Sequence, residues 1–298
     1  MLTLSRRSWP LRAHRRIATL AALSTLALVG SHLSRVEAAE AKHTRMNLAF
    51  VLLSGAKLPK GEAIERAFRT YAVKGQSLRY QPDPEGKGKQ GKYPVIAFET
   101  QVGRAMVGLI PAPVPDGEAD EAVHYSVSAL DRKWKLPPHK AHLVVTLHAQ
   151  GDAMTRISTL TSILAAIAES STAVGIYWGD AGATHDPKFF RNIARERTTL
   201  SRLALWTGIS IAREGKQYSL LSLGMKQFDL PDLWLIIPPG RADEGIPFMF
   251  DLLGMAVEGG KALPEGDTVG RTAAEKLPVH YVPSPVNPKA KVWRVEMK

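Results

Sequence analysis

Two periods of apolar spacing alternate along this chain. Leu48 to Leu53 is an unbroken apolar run ended by Ser54-Gly55, the pattern of a buried strand. From Gly61 to Tyr71 the period lengthens, with Ile64, Ala67, Phe68 and Tyr71 at i, i+3, i+4 and i+7; this predicts an amphipathic helix lying on that strand. Val95–Glu99 and Arg104–Ile110 predict two strands joined near Gly103. Pro111, Pro113 and Pro115 then stop the sheet pattern and lead into a predicted helix with Val123, Val127, Leu130 and Trp134 on one stripe.

The same order of elements recurs downstream. Ala141–Leu147 predicts a strand, and Asp152 an N-cap for a helix whose stripe is Ile157, Leu160, Leu164 and Ile167. Ala173–Trp178 predicts a short buried strand opening into a Gly179–Asp186 loop. Leu205–Ala212 and Tyr218–Met225 predict a hairpin turning at Glu214-Gly215, and Leu233–Ile237 a further strand closed by Pro238-Pro239. A helix over Asp243–Glu258 has Ile246, Phe250, Leu253 and Val257 as its inner face and ends at Gly259-Gly260. Val279–Val282 and Lys291–Glu296 predict the last two strands.

Adjacent strand pairs with segregated helices predict an α+β fold of mixed, largely antiparallel sheets, ferredoxin-like in element order. Two sheet-and-helix lobes are expected, about 46–149 and 150–298, meeting near Gln150. The lobes share element order only, with no repeat in the residues themselves.

Composition narrows the chemistry. The 298 residues include no cysteine, which removes disulfides, Cys-ligated zinc, iron–sulfur clusters and thiol catalysis. The net charge of +11 is unevenly spread. Residues 1–45 hold eight Lys/Arg against Glu37 and Glu40, so only +5 belongs to the remainder, and nucleic acid is not an expected partner.

Those first 45 residues have the layout of a leader. A basic stretch (SRRSWPLRAHRR) precedes an apolar run from Ile17 to Gly30, and Ala39-Glu40-Ala41 forms an A-x-A cleavage pattern. Fourteen residues of helix reach about 21 Å, short of the roughly 30 Å hydrocarbon core, so no stable membrane span is expected. Ser5-Arg6-Arg7-x-Trp9 resembles a twin-arginine signal, with Pro10 where an aliphatic residue is usual. The leader therefore predicts an exported, periplasmic protein, while translation from Met46 would give a cytoplasmic one. A native N terminus at Lys42 marks the first case and at Met46 the second.

Six segments in one order resemble the bacterial domain of unknown function DUF4261: NLAFVLLSGAKLP, GLIPAPVPDGEADEAVHYS, KAHLVVTLHA, AVGIYWGDAGA, LLSLGMKQFDLPDLWL and EGDTVGRTAAEKLPVHY. The resemblance runs from about residue 46 to the end. It implies a compact α+β domain with no assigned catalytic residues, of the kind that acts as a protein-binding or immunity-type module near secretion or toxin loci.

Few residues gather into a chemical constellation. His139, His142 and His148 are the densest set of metal-ligand types. On one strand, however, His142 and His148 share a face about 20 Å apart, too far for one zinc, and structural or exposed histidines are expected. Asp180, His185 and Asp186, on a Gly-rich loop after a buried strand, are the candidates for a base with its orienter in a hydrolase. The simpler reading of these residues is a turn followed by a helix start at Asp186-Pro187. Gly254-x4-Gly259-Gly260-Lys261 has phosphate-loop spacing but ends a helix instead of starting one, and Ala262 replaces the hydroxyl. The Glu85–Lys92 loop, with its lysines and glycines, is a candidate anion holder or a solvated hairpin loop. Of the six tryptophans (Trp9, Trp134, Trp178, Trp206, Trp234 and Trp293) most sit inside apolar patterns and read as core, with Trp293 the candidate border of an interaction surface. No cofactor or metal is expected. The reading leans away from an enzyme and toward a module that takes a protein partner through a sheet edge or an aromatic patch.

Overall fold

The computed structural model of the chain describes residues 45–82, 93–130 and 133–298. The predicted leader up to residue 44 and the predicted Glu85–Lys92 loop lie outside the described residues. Strand β1 (Arg45–Leu53) buries Ala49, Val51 and Leu53 completely on its inner face. Helix α1 (Gly61–Tyr71) buries Ile64, Phe68 and Tyr71, three positions of the predicted stripe. Strands β2 (Leu78–Gln81), β3 (Val95–Thr100) and β4 (Gly103–Ile110) follow as an antiparallel meander.

The helix predicted after the three prolines does not form as one piece. Pro115–Gly117 is a 3-10 turn, Glu118–Glu121 a single α-helical turn, and Ala122–Tyr125 and Val127–Ala129 two more 3-10 turns. Asp116 (φ 58°) and Gly117 (φ 67°) are left-handed, and Ser126 is extended, so the hydrogen-bond ladder is broken at both ends of the segment. Ser126 caps the last turn by accepting from the Ser128 backbone N–H.

Strand β5 (Ala141–Ala149) leads through Gly151 to helix α2 (Ala153–Glu169), where the predicted cap is realised: Asp152 accepts from Thr155 N at 2.8 Å. Strand β6 (Ala173–Trp178) turns through Gly179–Ala181 into a short antiparallel strand β7 (Ala183–His185), so the predicted 179–186 loop is a tight hairpin. Together these seven strands form one sheet, ordered β2-β3-β4-β5-β1-β6-β7.

Helices α3 (Pro187–Glu196) and α4 (Thr199–Trp206) connect to the second sheet, started by the Asp186 and Thr198 caps. Leu205 therefore ends a helix, and the strand expected from that residue begins at Gly208. Strands β8 (Gly208–Glu214) and β9 (Gln217–Leu223) make the expected hairpin, with Gly215 at φ 61° supplying the left-handed position. After β10 (Leu233–Ile237), helix α5 (Ala242–Gly259) crosses the inner face so closely that a Cβ on Gly245 would stand 2.1 Å from Ile237. Strands β11 (Thr268–Val269), β12 (Leu277–Pro283) and β13 (Lys291–Glu296) complete a six-stranded sheet, β11-β12-β13-β10-β9-β8, in which only β10 and β13 pair in parallel. The protein is thus α+β with two mostly antiparallel sheets.

The sheets change over between His185 and Gly208 and not near Gln150, because β6 pairs with β1 and carries β7 into the first sheet. One hydrophobic cluster fills the space between the sheets, running from Val51 and Leu143 of the first to Leu235 and Val295 of the second. Helix α2 lies within it and is buried on all sides, including Ser158, Thr161 and Ser162. Those hydroxyls are paired, as burial demands: Ser162 Oγ donates to the Tyr71 carbonyl (3.0 Å), and Trp206 Nε1 donates to Thr161 Oγ1 (2.8 Å).

Arg202 of α4 is the one fully buried guanidinium described. It donates to Ser158 Oγ (2.6 Å), the Tyr71 carbonyl (3.0 Å) and the Ala194 carbonyl (2.8 Å). The two carbonyls belong to the last turns of α1 and α3, so the charge sits at the negative ends of two helices in place of a carboxylate. Burial, with Arg197 nearby, lowers its pKa to about 10. Among the described residues, no helix is long and apolar enough to cross a membrane.

Candidate interaction surface

The residues that suggested hydrolysis do not meet. His185 is fully buried on β7, its Nδ1 2.7 Å from Ser126 Oγ and its Nε2 3.0 Å from the Leu205 carbonyl. The carbonyl can only accept, which places the ring proton on Nε2 and leaves Nδ1 to accept from the serine hydroxyl. Burial, opposed by that carbonyl, lowers the imidazole pKa to about 4, so the ring is neutral near pH 7. Asp186 is occupied as the cap of α3, accepting from Lys188 N at 3.0 Å. Asp180 points to another neighbourhood, where Asn47 hydrogen-bonds it and Lys226 lies close. It keeps an exposed edge, while the protein packed around the carboxyl raises its pKa against those two influences. The Ser126–His185 pair that does form is sealed from solvent, and the acceptor orienting it is a main-chain carbonyl.

Of the histidines, His139 and His142 lie near each other and His148 stands apart. His139 Nε2 accepts from Val114 N (3.1 Å) and His142 Nδ1 donates to the Ala112 carbonyl (2.8 Å); both pin the proline segment against the first sheet. His148 lies at the other end of β5, beside a wide, shallow recess that also includes Gln101, Val102, Gly103, Gln150 and Gly151. Among the described residues no three His, Asp or Glu side chains converge as a metal site.

Trp293 is not a surface residue. It is fully buried on the inner face of β13, beside Leu233 and Tyr281 on the neighbouring strands. Its indole Nε1 finds no hydrogen-bond partner among the described residues. On the outer face of this sheet stands Trp234 instead; like Trp134 it is half-buried and joins neither interior cluster, unlike most of the tryptophans as read from sequence.

Strand parity explains the exchange. Leu233, Leu235 and Ile237 of β10 enter the central cluster, so Trp234 and Ile236 point to the opposite face. In the ladder, Trp234 stands opposite Leu221 on β9 and Arg294 on β13, and Arg294 opposite His280 on β12. With Ser210 on β8 these make one row across the outer face: Ser210, Leu221, Trp234, Arg294 and His280. The Arg294 guanidinium lies over the Trp234 ring at 5.1 Å and forms an ion pair with Glu296 at 2.6 Å. Trp234 and Arg294 are half-buried and His280 is exposed, while Leu221, Ile236 and Val292 are buried without joining either interior cluster. Helix α5 lies on the inner face, where Gly245 abuts Ile237 and Leu220. The outer face thus presents the half-buried Trp234 ring with a cation stacked on it, among apolar residues that are already covered.

Sequence reasoning missed this patch because LWLII is apolar at every position. The usable signal was Arg294: a charged residue beside Trp293 sends that tryptophan inward, and only the pairing of β10 with β13 extends the rule to Trp234.

No curated protein and no solved structure matches the chain. A match to a described family covers the outer row from Leu221 onward and all of β10–β13. The four upstream segments that resemble the same family, from β1 through the β6–β7 hairpin, lie outside it. Residues 221–296 match the family described as Domain of unknown function (DUF4261).

Proposed function

We propose that this chain is a non-enzymatic protein-binding module whose outer second-sheet face docks a partner segment combining an apolar side chain with a carboxylate. The observation that carries the reading is Trp234 on that face under the Arg294 guanidinium, inside the family-matched segment. Tryptophan and arginine are among the residue types that dominate protein interfaces. The ring offers a flat apolar surface. Arg294 and the exposed His280 beside it favour an acidic neighbour, for which Glu296 and, at 3.0 Å from the imidazole, Glu265 already stand as internal substitutes. An immunity-type role is the form of this reading that the family resemblance suggests.

The test couples binding to folding. A photo-crosslinking residue at Trp234 should give one discrete heteromeric adduct in native extract, and a matched probe at exposed Met255 should not. Trp234→Ala and Arg294→Glu should each weaken binding of the identified partner at least tenfold. Melting temperatures should stay within about 3 °C, the shift expected for about 1 kcal/mol. Equal affinity of both variants for that partner, or no adduct beyond the Met255 control, refutes the reading.

A further inference from the structure

We infer that the proline segment from Ala112 to Ser128 is an acid-released latch: buried imidazoles hold it on the first sheet while they are neutral, and it lifts from β6 and β7 when they take up protons. The segment is weakly supported by its own backbone. Left-handed Asp116 and Gly117 and extended Ser126 reduce it to single turns. Among the described residues, none of its main-chain groups bonds to the main chain of another element. Its apolar anchorage is small: Val114, Ala119 and Ala122 pack with Leu52 and Tyr177 in a cluster separate from the central one.

Polar contacts with side chains supply the rest. Val114 N donates to His139 Nε2, and His142 Nδ1 donates to the Ala112 carbonyl. Tyr177 Oη donates to Glu118 (2.5 Å) and Thr184 Oγ1 to the Ala119 carbonyl (2.6 Å). At the far end a chain of donors runs one way. Asp186 N donates to Ser128 Oγ (3.1 Å), Ser128 Oγ lies 2.7 Å from Ser126 Oγ, and Ser126 Oγ ends on His185 Nδ1. Three of these attachments therefore involve an imidazole.

Protonation acts against all three. A ring nitrogen that accepts must be bare, and a charged imidazole has no bare nitrogen. Charged His139 would aim an N–H at the Val114 N–H. Charged His185 would place a donor at the accepting end of the serine chain. His142 keeps its donor when charged, but it is buried, edge-on to Phe50 at 5.6 Å and facing His139, and both burial and the second ring oppose the charge. Around His185 stand Phe190 of α3, Ile176 of β6 and the Leu205 carbonyl of α4, with no carboxylate acting on the ring. Asp186 beside it is spent on capping α3. The acidic groups at the segment face phenols instead: Glu118 and Asp180 act on Tyr177, and Glu121 on Tyr125.

Strand β7 is the edge of the first sheet, and the segment covers its open side through Ala119 and Ser126. Lifting it brings water to His185, so release and proton uptake favour each other. The latch is complete above the ordinary histidine range and gives way as the pH falls toward 4. A pKa of about 4 when latched against 6.5 when released favours release about 20-fold more at pH 5 than at pH 7.

Hydrogen exchange of the full chain, read by mass spectrometry from about pH 7 to about pH 5 and corrected for intrinsic rates, tests this. Protection over residues 112–128 should fall at least about 20-fold, while β1 and α2 keep theirs. His185→Gln retains a donor for the Leu205 carbonyl and cannot charge, so its response should be smaller by that factor. A chain carrying both His139→Gln and His142→Asn keeps an acceptor for Val114 N and a donor for the Ala112 carbonyl at every pH. Its response should shrink as well. Protection over 112–128 that stays flat in the wild-type chain overturns the inference, whatever the variants do. So does an equal loss in β1 and α2, which means the whole molecule opens, and so does a response undiminished in every variant that folds. Failure here leaves the Trp234 surface untouched, because the latch lies on the first sheet and Trp234 on the second.

Discussion

Asp232 shows how far one residue's surroundings shift its chemistry. It closes the β9–β10 connection by accepting from Ser222 Oγ and Met225 N, both at 3.1 Å. Burial nevertheless raises its pKa to about 6, the hydrogen bonds from Met225, Ser222 and Gly224 opposing the rise. A carboxyl whose folded pKa is raised holds its proton more tightly in the folded state. Its contribution to stability is therefore greatest below the ordinary aspartate range and is lost as the pH climbs from about 4 to about 6. That rise corresponds to about 3 kcal/mol. Asp232→Asn should flatten the decline in melting temperature over that interval relative to the wild-type chain, and parallel curves for the two proteins would contradict this account. His185 has the opposite sign: its lowered pKa makes it stabilising while neutral, an effect lost on acidification toward pH 4. At this scale the sequence was least informative. His185, Asp186 and Asp180 are neighbours in the chain, but strand alternation, a helix cap and a turn send them to three environments. No spacing rule shows that Ser126, 59 residues upstream, meets the imidazole.

Elements were more legible, where local chemistry sets them. The stripe of α1, the cap of α2 and the glycine end of α5 were readable because a helix satisfies its own backbone, so its ends depend on nearby residues. The inner face predicted for α5 was not, since Ile246 and Phe250 are only half-buried while Phe248, Met249 and Leu252 are buried. Asp152 at the start of α2 should show this directly. Asp152→Ala removes the acceptors for Thr155 N and Thr155 Oγ1 and should cost about 1 kcal/mol in denaturant unfolding. A change below a few tenths of a kcal/mol would mean the buried helix is held by packing alone. Strand parity was not readable to the same degree. It depends on partners distant in sequence, so β10 and β13 were found while their inner and outer faces were confused. The prediction of a helix after Pro115 failed for a local reason: left-handed Asp116 and Gly117 and extended Ser126 cut it into single turns.

At the scale of the whole molecule, the division of the chain into lobes dissolves into one interior. Val51 and Leu143 of the first sheet and Leu235 and Val295 of the second belong to the same cluster, with α2 between them. Trp178 Nε1 donates to Gln227 Oε1 (3.0 Å), tying β6 to the turn after β9. Residues 45–298 should accordingly unfold as one cooperative calorimetric transition, with calorimetric and van't Hoff enthalpies in agreement. Two resolved transitions would separate the sheets. The central place of β1 has a consequence for biosynthesis. The first strand to leave the ribosome lies between β5 and β6, so it has neither neighbour until about residue 149, and not both until about residue 178, has emerged. Until β5 emerges the nascent chain carries an apolar strand with two unsatisfied edges, and one edge stays open until β6 follows, a target for a holding chaperone before the sheet is complete.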